Sequence, residues 1–318
     1  MTASPIDPEI QLFVDGIAAG YARHPDVMTV PPADARAIVE QVREPWRQGG
    51  PVMHETEERT IALPGGAIRA RIHRPTAQRG GPVLIYLHGG GFTFFSIDTH
   101  DRLMREYAAA SGMTVIGLAY PLSPEAKFPT ALHRIAAFVE WLASGASDLD
   151  MDRTRIAIGG DSAGGNLSLA TALLLRERGE PGLIKALLLN YPGVSPEKSP
   201  EAVAQFGGEG AILSASEAEF FWNNYLRGPD DRRDPLANLL IADPAGLPPA
   251  LFVVAEHDLL AEQSEAMAAR ITAAGGAAEL RLYRGAVHGF VEAMSVSALA
   301  RRAIAESAQW LTATLAAS

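Results

Sequence analysis

Residues 155–164 read Arg-Ile-Ala-Ile-Gly-Gly-Asp-Ser-Ala-Gly, a short apolar run (Arg155–Ile158) that turns through Gly160-Asp161-Ser162-Ala163-Gly164 straight into a helical stretch over about 164–178. A strand-to-helix turn this tight strains its central residue and demands small neighbours. It sets the Ser162 hydroxyl at the sheet edge above a helix N-terminus, where developing negative charge is favoured. By composition alone G-x-S-x-G is expected about 0.15 times in such a chain, so the setting and not the pattern carries the reading. Outward from the turn the same rhythm repeats. Val83–Leu87, Val115–Ala119, Ala186–Leu189 and Leu251–Ala255 are apolar runs of the kind buried on both faces of a parallel sheet, and Glu279–Tyr283 reads as the last strand. Helical stretches fall at about 99–111, 129–144, 261–274 and 295–316. Alternation of this kind predicts an α/β fold, a mostly parallel sheet with helices on both sides.

Two segments stand outside the rhythm. Residues 1–50 read as two helices, with Ile10, Phe13, Val14, Ile17 and Ala18 at helical spacing and a second helix over about 33–46. Thr60–Leu63 and Ile68–Ile72 flank Pro64-Gly65-Gly66 and predict a hairpin. Between Pro192 and Pro248 no buried-strand run occurs, but an aromatic-rich helix spans about 217–225 and reads as an insertion over the strand ends, where such sheets bind ligands.

Composition narrows the function. The chain has 318 residues, 47% hydrophobic and 20% charged, with 27 basic against 37 acidic side chains and a net charge of −10. No basic cluster suits a phosphate backbone, which argues against nucleic acid as a partner. The absence of Cys removes disulfides, thiolate metal sites and cysteine nucleophiles. No apolar run approaches the ~20 residues of a membrane span. With Asp7, Glu9 and Asp15 near its start the chain does not read as carrying a signal peptide, and a cytoplasmic protein is expected.

His88-Gly89-Gly90-Gly91-Phe92 follows the strand Val83–Leu87. A histidine before three glycines is expected about 0.007 times in this composition. Acyl transfer passes through an oxyanion that needs fixed N–H donors, and a glycine run turns backbone amides inward unobstructed. Gly90, Gly91 and Ala163 are the expected donors, with Gly89 and His88 as loop support. Of eight histidines, His288 alone sits in a loop after the last strand; His24 and His54 lie outside the sheet repeat, His73 ends a hairpin strand, and His100 and His133 are expected inside helices. Asp258, just past Leu251–Ala255, is the expected carboxylate partner. Glu256 lies too close to the strand end, and Glu292 reads as a solvated helix-start residue. The chain order Ser162, Asp258, His288 is that of an α/β-hydrolase. Phe92, Phe94, Phe95, Phe221, Trp222 and Tyr225 are candidates for an apolar pocket, with ordinary packing an equal alternative for each. No metal motif occurs, and Asp98, His100 and Asp101 read as a helix-capping cluster. A dinucleotide loop is also missing, so no cofactor is expected.

His88–Phe92, Asp98–Asp101, Tyr120–Glu125, Gly160–Asn166, Asp258–Leu260 and His288–Phe290 together resemble the bacterial hormone-sensitive-lipase (family IV) esterases and lipases. The resemblance implies an α/β-hydrolase core of residues 51–194 and 236–318, a helical cap from residues 1–50 and a second cap piece from 195–235. It also implies hydrolysis of short- to medium-chain carboxylic esters without a cofactor, and a homodimer paired through the last strand. Three departures stand out: Phe95 replaces a usual glycine and adds bulk beside the oxyanion loop, Pro121 replaces an arginine, and Leu259 replaces a proline. An amide or formamide hydrolase on the same residues is the first rival reading. A non-catalytic binding protein is the second, disfavoured because a hormone receptor of this fold has lost the histidine that His288 retains here.

Overall fold

The computed structural model of the chain describes residues 4–145 and 147–317. Eight strands form one sheet in the order β1-β2-β4-β3-β5-β6-β7-β8. They are β1 (Glu55–Ile61), β2 (Ile68–Arg74), β3 (Val83–Leu87), β4 (Thr114–Ala119), β5 (Ile156–Asp161), β6 (Ile184–Asn190), β7 (Ala250–His257) and β8 (Ala278–Val287). The predicted hairpin is β1 and β2, which pair antiparallel, as do β2 and β4; the other pairs are parallel. The α/β-hydrolase fold expected from the sequence is therefore the one observed.

The helices are α1 (Pro8–Tyr21), α2 (Pro32–Arg47), α3 (Asp101–Ser111), α4 (Thr130–Ser144), α5 (Ala163–Glu177), α6 (Pro200–Phe206), α7 (Ala215–Tyr225), α8 (Ala261–Ala273) and α9 (Ala298–Ala316). The apolar strand runs split by period two between two cores. Val83, Ile85 and Leu87 pack with α4, α5 and α8 on one face, while Leu84 and Tyr86 pack with α1, α3 and α9 on the other. Among the described residues no helix is long and apolar enough to cross a membrane.

Several local expectations change. The α3 helix starts two residues late because the Ser96 hydroxyl accepts the Asp98 and Thr99 amides and holds the approach in a turn. His100 therefore stands at the N-cap, outside the helix. Asp98 and Asp101 do not cap: both pair with Arg71 of β2, and Asp101 also with Arg105. The seven-residue α6 is too short to show a period and went unseen in the sequence. At the far end β8 runs on to Val287, and a 3₁₀ turn at Phe290–Ser295 precedes α9, whose start is set by the Ser297 side chain at Ala298.

Candidate active site

The turn from β5 to α5 puts Ser162 at φ 53° and ψ −115°, in the left-handed half of backbone space that a non-glycine residue enters at a cost. The flanking glycines are steric necessities. A Cβ on Gly160 would lie 2.2 Å from the Leu87 carbonyl oxygen, and one on Gly164 only 1.9 Å from the same atom. The Ser162 amide donates to Asn190 O of β6 at 2.9 Å, which pins the turn to its neighbouring strand.

His288 follows β8 directly. Its Nε2 lies 3.0 Å from Ser162 Oγ and its Nδ1 2.8 Å from Asp258 Oδ2. The second carboxylate oxygen of Asp258 accepts the Leu260 amide at 2.9 Å. Because Nδ1–H donates to the carboxylate, the Nε2 lone pair is left to accept from the serine hydroxyl. Burial pushes the His288 pKa down, but the Asp258 carboxylate outweighs it and the net direction is up from 6.5. Residues 126 and 30 positions apart are thus brought into one hydrogen-bonded line, suited to moving a proton off a hydroxyl.

The glycine loop faces this line. Gly90 and Gly91 adopt φ of 94° and 58°, and a Cβ on Gly91 would fall 2.1 Å from the Phe221 ring. Among the described residues the Gly90, Gly91 and Ala163 amides donate to no backbone or side-chain group. His88 braces the loop: its Nδ1–H donates to Gly89 O at 2.8 Å, and its ring stacks on Tyr120 at 4.4 Å. Burial, with the neighbouring His100, lowers its pKa to about 3, so the ring stays neutral. Gly89 is needed because a Cβ there would meet Asp161 Oδ2 at 2.3 Å.

A family model described as "alpha/beta hydrolase fold" matches residues 84–292. A carboxylic ester hydrolase, LipN, of Mycobacterium tuberculosis is 34% identical over 302 residues, 90% of this chain and 77% of that one. The chain belongs to the α/β-hydrolase family, on its hormone-sensitive-lipase-like branch. Among solved structures, a hyperthermophilic esterase from the archaeon Pyrobaculum calidifontis superposes with a TM-score of 0.90 at 32% identity, covering 98% of this chain and 99% of that one. A thermostable esterase from Pseudomonas putida reaches a TM-score of 0.91 at 29% identity, with 99% of both chains covered.

Two cavities flank Ser162 in this α/β-hydrolase. One, of about 310 Å³, is lined among others by Phe94, Phe95, Phe221, His288 and the helices of the N-terminal segment. The other, about 30 Å³, lies against Phe92, Phe221, Trp222 and Leu260. Tyr225 lines neither; it is fully buried and stacks behind Phe92 at 3.8 Å, so its place is in the core. Glu292 is likewise corrected. It is buried, lines the larger cavity, and pairs with Arg43 of α2 at 3.0 Å. The 3₁₀ turn after His288 folds it inward, which a reading of residue types as a helix start could not anticipate.

Beneath Ser162 the Asp161 carboxylate accepts from Tyr86 Oη at 3.0 Å and faces His100 Nε2 at 3.3 Å. Burial alone would raise Asp161 and lower His100, yet their mutual attraction reverses both directions and holds them as an ion pair. Among the described residues His100, Asp161 and Glu292 form one group whose ligand atoms lie within 4.8 Å of each other, enough for a metal ion. Each already has a protein partner of opposite charge, so this donor set is committed. Close to Pro121, Arg36 of α2 donates to Thr93 O and Ser123 O and pairs with Glu125 at 2.7 Å.

Proposed function

We propose that this chain is a serine carboxylesterase of short- to medium-chain esters, working through an acyl-enzyme on Ser162. His288 takes the Ser162 proton as the hydroxyl attacks the ester carbonyl, and Asp258 steadies the resulting imidazolium. The amides of Gly90, Gly91 and Ala163 receive the oxyanion, at a typical ~3 to 4 kcal/mol for each donor lost. The imidazolium then protonates the leaving alcohol, and water activated by the same ring releases the acid. The observation that carries this reading is the unbroken Ser162–His288–Asp258 line at 3.0 and 2.8 Å between two cavities. Esterase relatives along nearly the whole chain support the ester over the amide as substrate. The smaller cavity favours one short half of the ester.

The reading includes a cap built from residues 1–50 and 195–235 over a core of 51–194 and 236–318. It also includes a cytoplasmic, cofactor-free enzyme that dimerises through the edge strand β8, where Leu280 and Leu282 face outward. Rates across nitrophenyl esters from acetyl to hexadecanoyl, with Ser162→Ala alongside, test it. Turnover from acetyl to hexanoyl that falls sharply from decanoyl on and vanishes in the variant is expected; folded protein inert on every ester overturns the proposal.

A further inference from the structure

Beneath the nucleophile lies a charge that the acyl-transfer scheme does not use. Asp161 directly precedes Ser162 and is buried, as is His100. The carboxylate presses on the oxyanion loop: a Cβ on Gly89 would lie 2.3 Å from Asp161 Oδ2. His100 touches the same loop, its ring centre 5.7 Å from that of His88 and 5.5 Å from that of Phe95.

The hydrogen bonds around His100 place its protons. Its Nε2 lies 3.3 Å from each carboxylate oxygen of Asp161 and donates to them. At the other nitrogen stands the Thr99 hydroxyl, 2.9 Å away, which gives its one proton to Ser96 O at 2.9 Å and so accepts from Nδ1–H. A ring that donates from both nitrogens is an imidazolium. The other groups packed around the pair are matched elsewhere or neutral. Glu292 of the 3₁₀ turn is bound to Arg43 of α2, burial keeps His88 neutral, and Tyr86 Oη of β3 donates to Asp161. Among the described residues His100 is the only cation paired with Asp161.

From this we infer that His100 is a positioning residue of the reaction: its imidazolium cancels Asp161 and holds that carboxylate against Gly89, so that the oxyanion forms at the Gly90, Gly91 and Ala163 amides with no opposing charge beneath it. This rests on the esterase reading above. The neutral carbonyl of a bound ester responds little to a charge at Asp161, whereas the oxyanion of the transition state responds strongly. The effect of His100 therefore belongs to kcat and not to KM.

The test measures kcat and KM for nitrophenyl butyrate on the alkaline plateau of the pH profile, in the wild type, in His100→Gln and in His100→Gln combined with Asp161→Asn. Glutamine keeps an N–H for Asp161 but carries no charge. In the single variant kcat should fall about ten- to a hundredfold with KM changed by less than about twofold. The double variant, which lacks the carboxylate as well, should recover most of that loss. A role in packing alone gives the reverse order, because removing a second buried polar group adds to the damage. A loss carried by KM, or a double variant no faster than the folded single one, overturns the inference. Where His100→Gln does not fold, imidazole ¹⁵N spectra of Asp258→Asn decide at about pH 8, where an ordinary imidazole is neutral and His288 has lost its carboxylate partner. A ring with both nitrogens protonated should remain there, and its absence overturns the inference. Butyrate hydrolysis that disappears in Ser162→Ala keeps the two proposals apart: its presence with no loss of kcat in His100→Gln defeats only this inference, and its absence from the wild type defeats both.

Discussion

The two cavities beside Ser162 are walled differently. The smaller is closed by aromatic and aliphatic side chains, Phe92, Trp222 and Leu260, and backed by Tyr225. The larger holds about ten times the volume, about 310 against about 30 Å³, and carries a buried ion pair, Arg43–Glu292, joining α2 to the turn after His288. The two halves of an ester therefore meet different surroundings, one a small space whose volume sets the fit, the other a larger space with a buried ion pair in its wall.

The largest effect tests what the two cavities share. Ser162→Ala should lower kcat by at least about 10³-fold on every ester, whichever half is varied. A residual rate that still tracks chain length at wild-type level would mean that chemistry occurs away from the junction of the cavities. The parts of that junction were also the parts legible in the sequence. Gly160 and Gly164 are forced by the Leu87 carbonyl and Gly89 by Asp161, all across the β3–β5 pair, so local pattern encodes them, whereas Gly91 is forced by the distant Phe221 ring. His288 and Asp258 sit at strand ends whose periodicity reveals them.

The wall of the larger cavity was not legible, and the reason is physical. Arg43 lies on an amphipathic helix where an arginine ordinarily means a solvated face, and only the docking of α2 against the Phe290–Ser295 turn buries it. Glu292 is its partner from 249 residues away. Tyr225, open in the sequence between pocket and packing, shows the complementary difficulty: an aromatic residue near the site packs behind it as readily as into it. Arg36, the partner of Glu125, also arrives from α2. Pairings of this kind belong to tertiary structure and leave no period in the chain.

That ion pair gives the second prediction. Removing one partner strands a buried charge, so Arg43→Met should cost about 3–5 kcal/mol of stability, read as a lowered midpoint in urea. Replacing both, Arg43→Met with Glu292→Leu, should recover most of it. A double variant no more stable than the single would show that the wall is held by packing and not by charge compensation.

The acid limb of the pH profile comes third. The base must be neutral to accept the serine proton, and Asp258 holds the His288 pKa above 6.5. Below that pKa the imidazolium dominates, so kcat/KM should fall about tenfold per pH unit as pH drops. Since one ring faces Ser162 whichever ester is bound, the midpoint should be the same for short-chain and longer-chain esters. A midpoint below 6.5 in the free enzyme would contradict the Asp258 contact.

The smallest effect is expected at Phe95, which forms part of the larger cavity and carries Arg43 on its ring. Its φ of 65° places a bulky side chain where glycine is at ease, a cost of about 1–3 kcal/mol that Phe95→Gly would relieve. Against this stand the lost stacking with the guanidinium, about 0.5–2 kcal/mol, and the greater freedom of glycine in the unfolded chain, about 0.5–1 kcal/mol. These oppose one another, so the stability of the variant should stay close to that of the wild type. The cavity does not stay the same, because a ring beside the oxyanion loop is gone. Tolerance for longer chains should rise by a few-fold at octanoyl and decanoyl, while the smaller cavity, which Phe95 does not touch, keeps its own limit. An unchanged chain-length profile in a folded Phe95→Gly protein would place the limiting wall elsewhere, at Phe94 or Phe221, and would remove Phe95 from the account of how the two cavities differ.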